Sequence, residues 1–315
     1  MFFSIKLFVC VKNKTIIVIV TYNALNWLTR CLESCGEVAV IVVDNNSQDG
    51  TDEFIKTNYP KIELIPKRDN LGFGRANNIG IKEALRRGAD QIFLLNQDAY
   101  LESDTVEQLT RAASQNPEYG ILSPIHLDGS GKRLDRNFTN YIHYDNNKDF
   151  FSDALFKRLA GIYEVPFVNA ACWLLPKKTL ETIGGFDPIF FHYGEDDNYC
   201  QRVLFHRMKI GVVSGCYVRH DRENRQQNYP KNADFNAWLK KEELRYKVTG
   251  ADINRDPYYT KSIMIQLRVL LIDFLFFRIS KIHNRIKYIK SLKRWRYEVI
   301  QSRSKNKLIG QHYLN

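Results

Sequence analysis

Apolar and polar positions come in alternating blocks along the first 115 residues. The run TIIVIV at 15–20 is apolar without interruption and rich in β-branched residues, as a strand buried on both faces should be. Behind it Ala24, Leu25, Leu28, Cys31 and Leu32 recur at helical spacing until Gly36 stops the pattern. VAVIVVD at 38–44 predicts a second strand, followed by the polar turn NNSQDGT and a helix through DEFIKTN. IELI at 62–65 predicts a third strand, and Ile81, Ala84 and Leu85 mark a helix ending near Gly88. QIFLL at 91–95 is the fourth strand, and Asp104 with Glu107 suits a capping box on a helix running to about Ser114. Strands and helices alternating at this spacing predict an α/β chain with a doubly wound parallel sheet.

From about 125 to 164 the rhythm is lost among Asn, Asp, Lys and aromatic residues, which reads as variable loops with short elements. It returns at VNAACWLLPKKTLETIGGFDP (168–188), a strand and a short helix in which Trp173 is read as core rather than as a sugar platform. The acidic cluster GEDDNYCQRV follows at 194–203. From Ser262 onward there is no proline, and Ile263, Leu267, Leu270, Leu271 and Phe274 share one helical face, with Arg268 and Asp273 arguing against a membrane span. The first residues, MFFSIKLFVCVKNK, are apolar but carry neither a charged n-region nor a cleavage site, so a leader is expected there rather than a signal peptide. The expected division is a leader at 1–14, a main domain at 15–225 and a helical basic extension at 226–315.

Charge changes this picture in one place. The net charge is +11, yet residues 261–315 hold 13 Lys and Arg against 2 acidic residues, which leaves 1–260 neutral. The stretch RISKIHNRIKYIKSLKRWRYE interleaves cations with Ile, Tyr and Trp. Such a stretch suits an anionic membrane surface; a helix packed on the main domain with a solvated charged face is the alternative. Nucleic acid is a third reading, but no recognised module accompanies the charge. Cys10, Cys31, Cys35, Cys172, Cys200 and Cys216 form no C-x-x-C pair, which favours reduced thiols in the cytosol.

In open α/β sheets ligands bind beyond the carboxyl ends of the strands. Asp44 and Asp98 both stand at such ends, and Thr21, Tyr22 and Asn23 follow the first strand. An unpartnered buried carboxylate is costly, so Asp98 in FLLNQDAY should meet something positive; taken alone it could equally open the next loop. GFGRANNIG at 72–80 is not a dinucleotide fingerprint, because Asn77 replaces the third Gly and the stretch follows the third strand instead of the first.

Six stretches occur in the order found in family 2 glycosyltransferases of the GT-A fold: VIVTYN (18–23), VVDNNSQDGT (42–51), NLGFGRANNIG (70–80), LLNQDAY (94–100), GGFDPIFFHYGEDDNYCQR (184–202) and VRH (218–220). The third resembles especially the rhamnosyltransferase-like branch. The resemblance covers about 15–220 and implies an inverting transferase using a nucleotide-diphosphate sugar and a divalent metal, Mg²⁺ or Mn²⁺. It implies that Asp44 accepts a hydrogen bond from the pyrimidine, with Thr21 and Asn23 lining the same pocket and Arg75 approaching the ribose or phosphates. Asp98 would hold the metal with His220. Asn96 departs from the first Asp of the family's D-x-D and is expected at the ribose or a metal-bound water. Asp196 matches the family's base, whereas Asn198 departs from the final Asp of Glu-Asp-x-Asp, so no role passes to it. The expected donor is dTDP-rhamnose ahead of a UDP-hexose. The expected acceptor is a growing polysaccharide or lipid-linked glycan, met in the cytoplasm at the inner face of the cell membrane if the tail docks there. A non-catalytic relative that binds a nucleotide sugar or glycan stays open as the alternative; it would have no need of Asp196.

Overall fold

A computed structural model describes residues 14–222, 234–256 and 260–314, the side chains of 260–262 excepted. The expected leader lies outside the described residues apart from Lys14. The first described elements are β1 (Thr15–Thr21), α1 (Leu25–Ser34), β2 (Ala39–Asp44), α2 (Thr51–Asn58), β3 (Glu63–Pro66), α3 (Phe73–Arg86) and β4 (Gln91–Asn96). It continues with β5 (Ala99–Leu101), α4 (Thr105–Gln115), β6 (Tyr119–Asp128), α5 (Phe138–Tyr141), α6 (Phe150–Leu155), β7 (Ile162–Glu164), β8 (Cys172–Pro176) and α7 (Lys177–Ile183). The last elements are α8 (Glu195–Phe205), β9 (Lys209–His220), α9 (Phe235–Ala251), α10 (Thr260–Leu275) and α11 (Ile279–Asn306).

The described strands form one sheet in the order β3-β2-β1-β4-β8-β6-β9-β5, with β7 paired to β9. The four apolar runs are its parallel half, β3-β2-β1-β4. Both faces of β1 are buried, as an uninterrupted apolar run requires. Ile16 and Val18 enter the core with α3, α7 and α8, while Ile17 and Ile19 enter the core with α1, α2 and α4. Gly80 lets α3 lie close to the sheet, since a Cβ there would stand 2.3 Å from Val18 Cγ1.

Two expectations need correction. The sheet is mixed rather than parallel throughout: β8 runs antiparallel to both β4 and β6, and β5 antiparallel to β9. Strand direction depends on a long connection, here the loop-rich stretch before β8, and no local pattern encodes it. Pro124 lies inside β6, where the pairing with β9 shifts register, one of the few places a sheet tolerates proline. The capping box also fails to form. Asp104 Oδ2 accepts from Gln108 Nε2 at 2.6 Å and Glu107 bonds Arg111, leaving no side-chain cap on α4.

The C-terminal helices are part of the body. Tyr288, Leu292 and Trp295 of α11 pack on Phe235, Leu239 and Tyr246 of α9, and Leu314 joins the main core. Asp187 Oδ2 accepts from Ser302 Oγ at 2.6 Å, Asn306 Nδ2 at 2.8 Å and Tyr313 OH at 3.2 Å. Most of the basic stretch is therefore a packed helix with a charged outer face.

Candidate active site

A cleft of about 970 Å³ opens where β1 and β4 end, and α8, α9 and the end of β9 close its other side. Its polar groups stand at the ends of elements or in the loops just beyond them. The sheet supplies the scaffold and the loops beyond it carry the chemistry.

On the β1–β2 side, Asp44 is buried just behind the cleft and, like Thr21, is not among its lining residues; its carboxylate is held from within. Oδ1 accepts from Thr21 Oγ1 at 2.8 Å and Ser47 Oγ at 2.6 Å, while Oδ2 accepts from Ser47 N at 3.0 Å. Thr21 is fully buried, so it orients Asp44 instead of lining the cleft as expected. Asn23 does line it, with a left-handed backbone (φ 52°) and Oδ1 accepting from Gln48 N. Asn45 ties the end of β2 to the 70–72 loop, accepting from Leu71 N and donating to Asn70 Oδ1. Arg75 is brought elsewhere: it is exposed, donates to the Pro188 carbonyl at 3.0 Å, and is not among the cleft residues.

Where β4 ends, Asn96, Gln97 and Asp98 all face the cleft. Gln97 exchanges two hydrogen bonds with the backbone of Tyr22, fixing the ends of β1 and β4 to each other. Pairing of Ala99 with His220 between β5 and β9 brings Asp98 beside the histidine. Asp98 Oδ1 lies 3.5 Å from His220 Nε2, with both side chains 1% exposed. Asp98 thus meets the positive-capable partner its burial demands. Arg222 Nε donates to His220 Nδ1 at 3.1 Å and stands 3.3 Å from Asp135 Oδ2. An arginine can only donate, so Nδ1 accepts and the proton of the neutral ring resides on Nε2.

Across the cleft, Gly194 (φ 85°) turns the chain into α8 and sets Glu195, Asp196 and Asp197 in its first turn. A helix N-terminus favours carboxylates by about 0.3–1 kcal/mol. Burial and mutual repulsion act the other way and prevail. Burial first and Asp197 second push Asp196 up to about 6; burial and then Asp196 push Glu195 up to about 7. Two pKa units amount to about 3 kcal/mol, more than the helix end returns. Asn198, by contrast, is fully buried, and neither amide atom has a hydrogen-bond partner among the described residues. It does not reach the cleft.

Sequence reasoning missed Asn45, Asn70, Asn169 and Arg222 as cleft residues. Arg222 lies two positions beyond the VRH stretch and Asn169 is the second residue of VNAA, but neither type at such a place carries a signal of its own.

The sequence model of glycosyl transferase family 2 matches residues 16–184. The N-acetylglucosaminyl-diphospho-decaprenol L-rhamnosyltransferase of Mycobacterium tuberculosis is 27% identical over 205 residues, which cover 57% of this chain and 67% of that protein. The dTDP-rhamnosyl transferase RfbF of Shigella flexneri is 25% identical over 211 residues, 64% of this chain and 67% of that one. Among solved structures, GalNAc-T7 with UDP, GalNAc and Mn²⁺ aligns with a TM-score of 0.54 at 15% identity, over 76% of this chain and 50% of its own length. S. aureus TarS 1-349 aligns with a TM-score of 0.50 at 14% identity, over 91% of each chain. At such identities the structural likeness speaks for the fold, which is GT-A.

Proposed function

This chain belongs to glycosyl transferase family 2, and we propose that it is an inverting, metal-assisted enzyme that moves rhamnose from dTDP-rhamnose to a lipid-linked glycan or growing polysaccharide. That it is a glycosyltransferase follows from the family. The finer reading is carried by one observation: the cleft brings the Asp98–His220 pair and Asp196 to the same space, beside the loop that Asp44 holds. The names of the two rhamnosyltransferase relatives support dTDP-rhamnose over a UDP-hexose, and one of them supports a diphosphate-linked isoprenoid acceptor.

Asp44 is suited to read the pyrimidine. Two hydroxyls load Oδ1, and Oδ2 keeps accepting capacity beyond its one backbone donor. Thr21 and Ser47 hold that carboxylate in place. Asn23 and Asn96 offer polar contacts to the rest of the nucleoside.

Asp98 and His220 fit a divalent cation, Mg²⁺ or Mn²⁺. They offer one hard oxygen and one imidazole nitrogen that already converge within 3.5 Å. Among the described residues no group of three or more potential ligands occurs, so Asp98 and His220 would be the chain's own contribution to such a site. The fit has one condition: Nε2 must be bare to coordinate, so Arg222 must release Nδ1, and Asp135 is close enough to receive it. A cation held there would offset the negative charge growing on the departing diphosphate.

Asp196 takes the proton of the acceptor hydroxyl as that oxygen bonds to the anomeric carbon and the bond to the diphosphate breaks. Its raised pKa makes it a stronger base than an ordinary aspartate while leaving it ionised at neutral pH. The five described cysteines are free and buried, which supports a reducing compartment such as the cytoplasm. The test is hydrolysis of a panel of nucleotide sugars with and without Mg²⁺ or Mn²⁺, followed by transfer to a synthetic isoprenyl-diphosphate-GlcNAc. Preference for dTDP-rhamnose that vanishes with chelator is expected. Metal-independent turnover, or preference for another donor, would overturn the corresponding part.

A further inference from the structure

Among the described residues, nothing covers the outer face of the helix before the basic stretch. Met264, Ile265, Leu267, Leu271, Ile272, Phe274 and Leu275 of α10 are all exposed, Leu271 at 63% and Leu275 at 68%, and Phe276 and Phe277 continue the surface at 65% and 86%. Arg268 is the one exposed charge of α10 among the residues whose side chains are described. Large apolar side chains exposed one after another along a helix and its turn mark a place of interaction. Its turn is built to hold: Asp273 is buried at the end of α10, with Arg278 and Arg285 within 3.7 Å.

We propose that the α10–α11 hairpin docks this protein on an anionic lipid surface, with α10 and the Phe276–Phe277 turn lying among the acyl chains and the cations of α11 on the headgroups. The charge beside the apolar face selects this occupant. Lys281, Lys287, Lys290 and Lys293 are all exposed on α11. Residues 261–315 carry 13 cations against 2 acids, so a second copy of the hairpin would meet like charge, whereas phosphate headgroups complement it. No described helix is long and apolar enough to cross a membrane, so the hairpin lies on the surface. The reach is also right. Trp238 of α9 stacks edge-on with Tyr288 of α11, while Leu244 and Val248 of the same helix line the cleft. At 1.5 Å per residue, Trp238 and Leu244 lie about 9 Å apart along the axis. Docking would hold the cleft within a short distance of headgroups, whatever acceptor is used there.

Because most of α11 is packed into the body, the test uses point variants of the full chain. Co-sedimentation with vesicles of phosphatidylglycerol and phosphatidylcholine (about 3:7) should capture the wild type, and capture should weaken in high salt or with phosphatidylcholine alone. Leu271→Ser with Phe274→Ser should weaken it roughly tenfold or more, and Lys281→Glu with Lys290→Glu should remove its salt dependence. Both pairs are exposed, so circular dichroism and donor hydrolysis should match the wild type. No capture of the wild type, or capture indifferent to both pairs, overturns the proposal. So does a concentration-dependent dimer that the Leu271 and Phe274 changes dissolve in the absence of vesicle binding, which would assign the face to a second copy.

Discussion

Ser302 Oγ donates to Asp187 Oδ2 at 2.6 Å across 115 residues of chain, pinning α11 to the loop that leads into Glu195, Asp196 and Asp197. The contact is buried, and Asn306 and Tyr313 donate to the same oxygen. The segment after Ser262 therefore cannot be cut away as an independent appendage without stripping Asp187 of these donors.

Ser302→Ala should cost about 2 kcal/mol of stability, the worth of a buried hydrogen bond to a charged group. Urea denaturation of the full chain measures it. Leu271→Ser, on exposed α10, should stay within about 0.5 kcal/mol of the wild type. Equal effects from the two changes would show that α11 is not anchored through Asp187.

Asp98→Asn keeps shape but removes the negative charge from one of the two proposed cation ligands. Calorimetric titration of donor in the presence of Mn²⁺ should show affinity weakened roughly tenfold or more, with little metal dependence left. His220→Gln should behave alike. Unchanged affinity and unchanged metal dependence in both variants would remove the cation from this pair.

Asp196→Asn should lower turnover roughly 10²- to 10⁴-fold with donor affinity nearly unchanged, because a general base acts only in the transition state. Glu195→Gln and Asp197→Asn are the controls and should be milder. The acid limb of kcat/KM should fall as pH drops through about 6, where Asp196 takes up its proton, and should be absent from the residual activity of Asp196→Asn. A variant at Glu195 or Asp197 that proves more damaging would move the base.

Glu195 gives a prediction on stability. Burial raises its carboxyl from 4.5 to about 7, so the folded state holds the proton more tightly than the unfolded chain does. Its contribution is fully present below pH 4.5 and is lost as pH rises through 7. Glu195→Gln removes that loss. Relative to the wild type, the variant should therefore gain on the order of 3 kcal/mol between pH 4 and pH 8. A difference between the two proteins that stays flat across this range would contradict a proton held on Glu195 in the folded state.

The parallel half of the sheet was legible because its information is local. Runs such as TIIVIV and VAVIVVD bury both faces of a strand, and a polar residue ends each run. That alone put Asp44, Asp98 and the 21–23 stretch at one edge, and the ordered motifs added Asp196 and His220. Tertiary structure decided what depends on contacts far apart in sequence. It turned β8 antiparallel, buried Thr21 beneath Asp44 instead of in the cleft, and sent Arg75 to Pro188. It also separated two helices that read alike. Both α10 and α11 carry apolar residues at helical spacing, yet Leu292 and Trp295 are buried against α9 while Leu271 and Phe274 face outward. Periodicity records that a helix has an apolar side. What covers that side is set by the chain's other elements, and no residue within a helical turn of it carries that information.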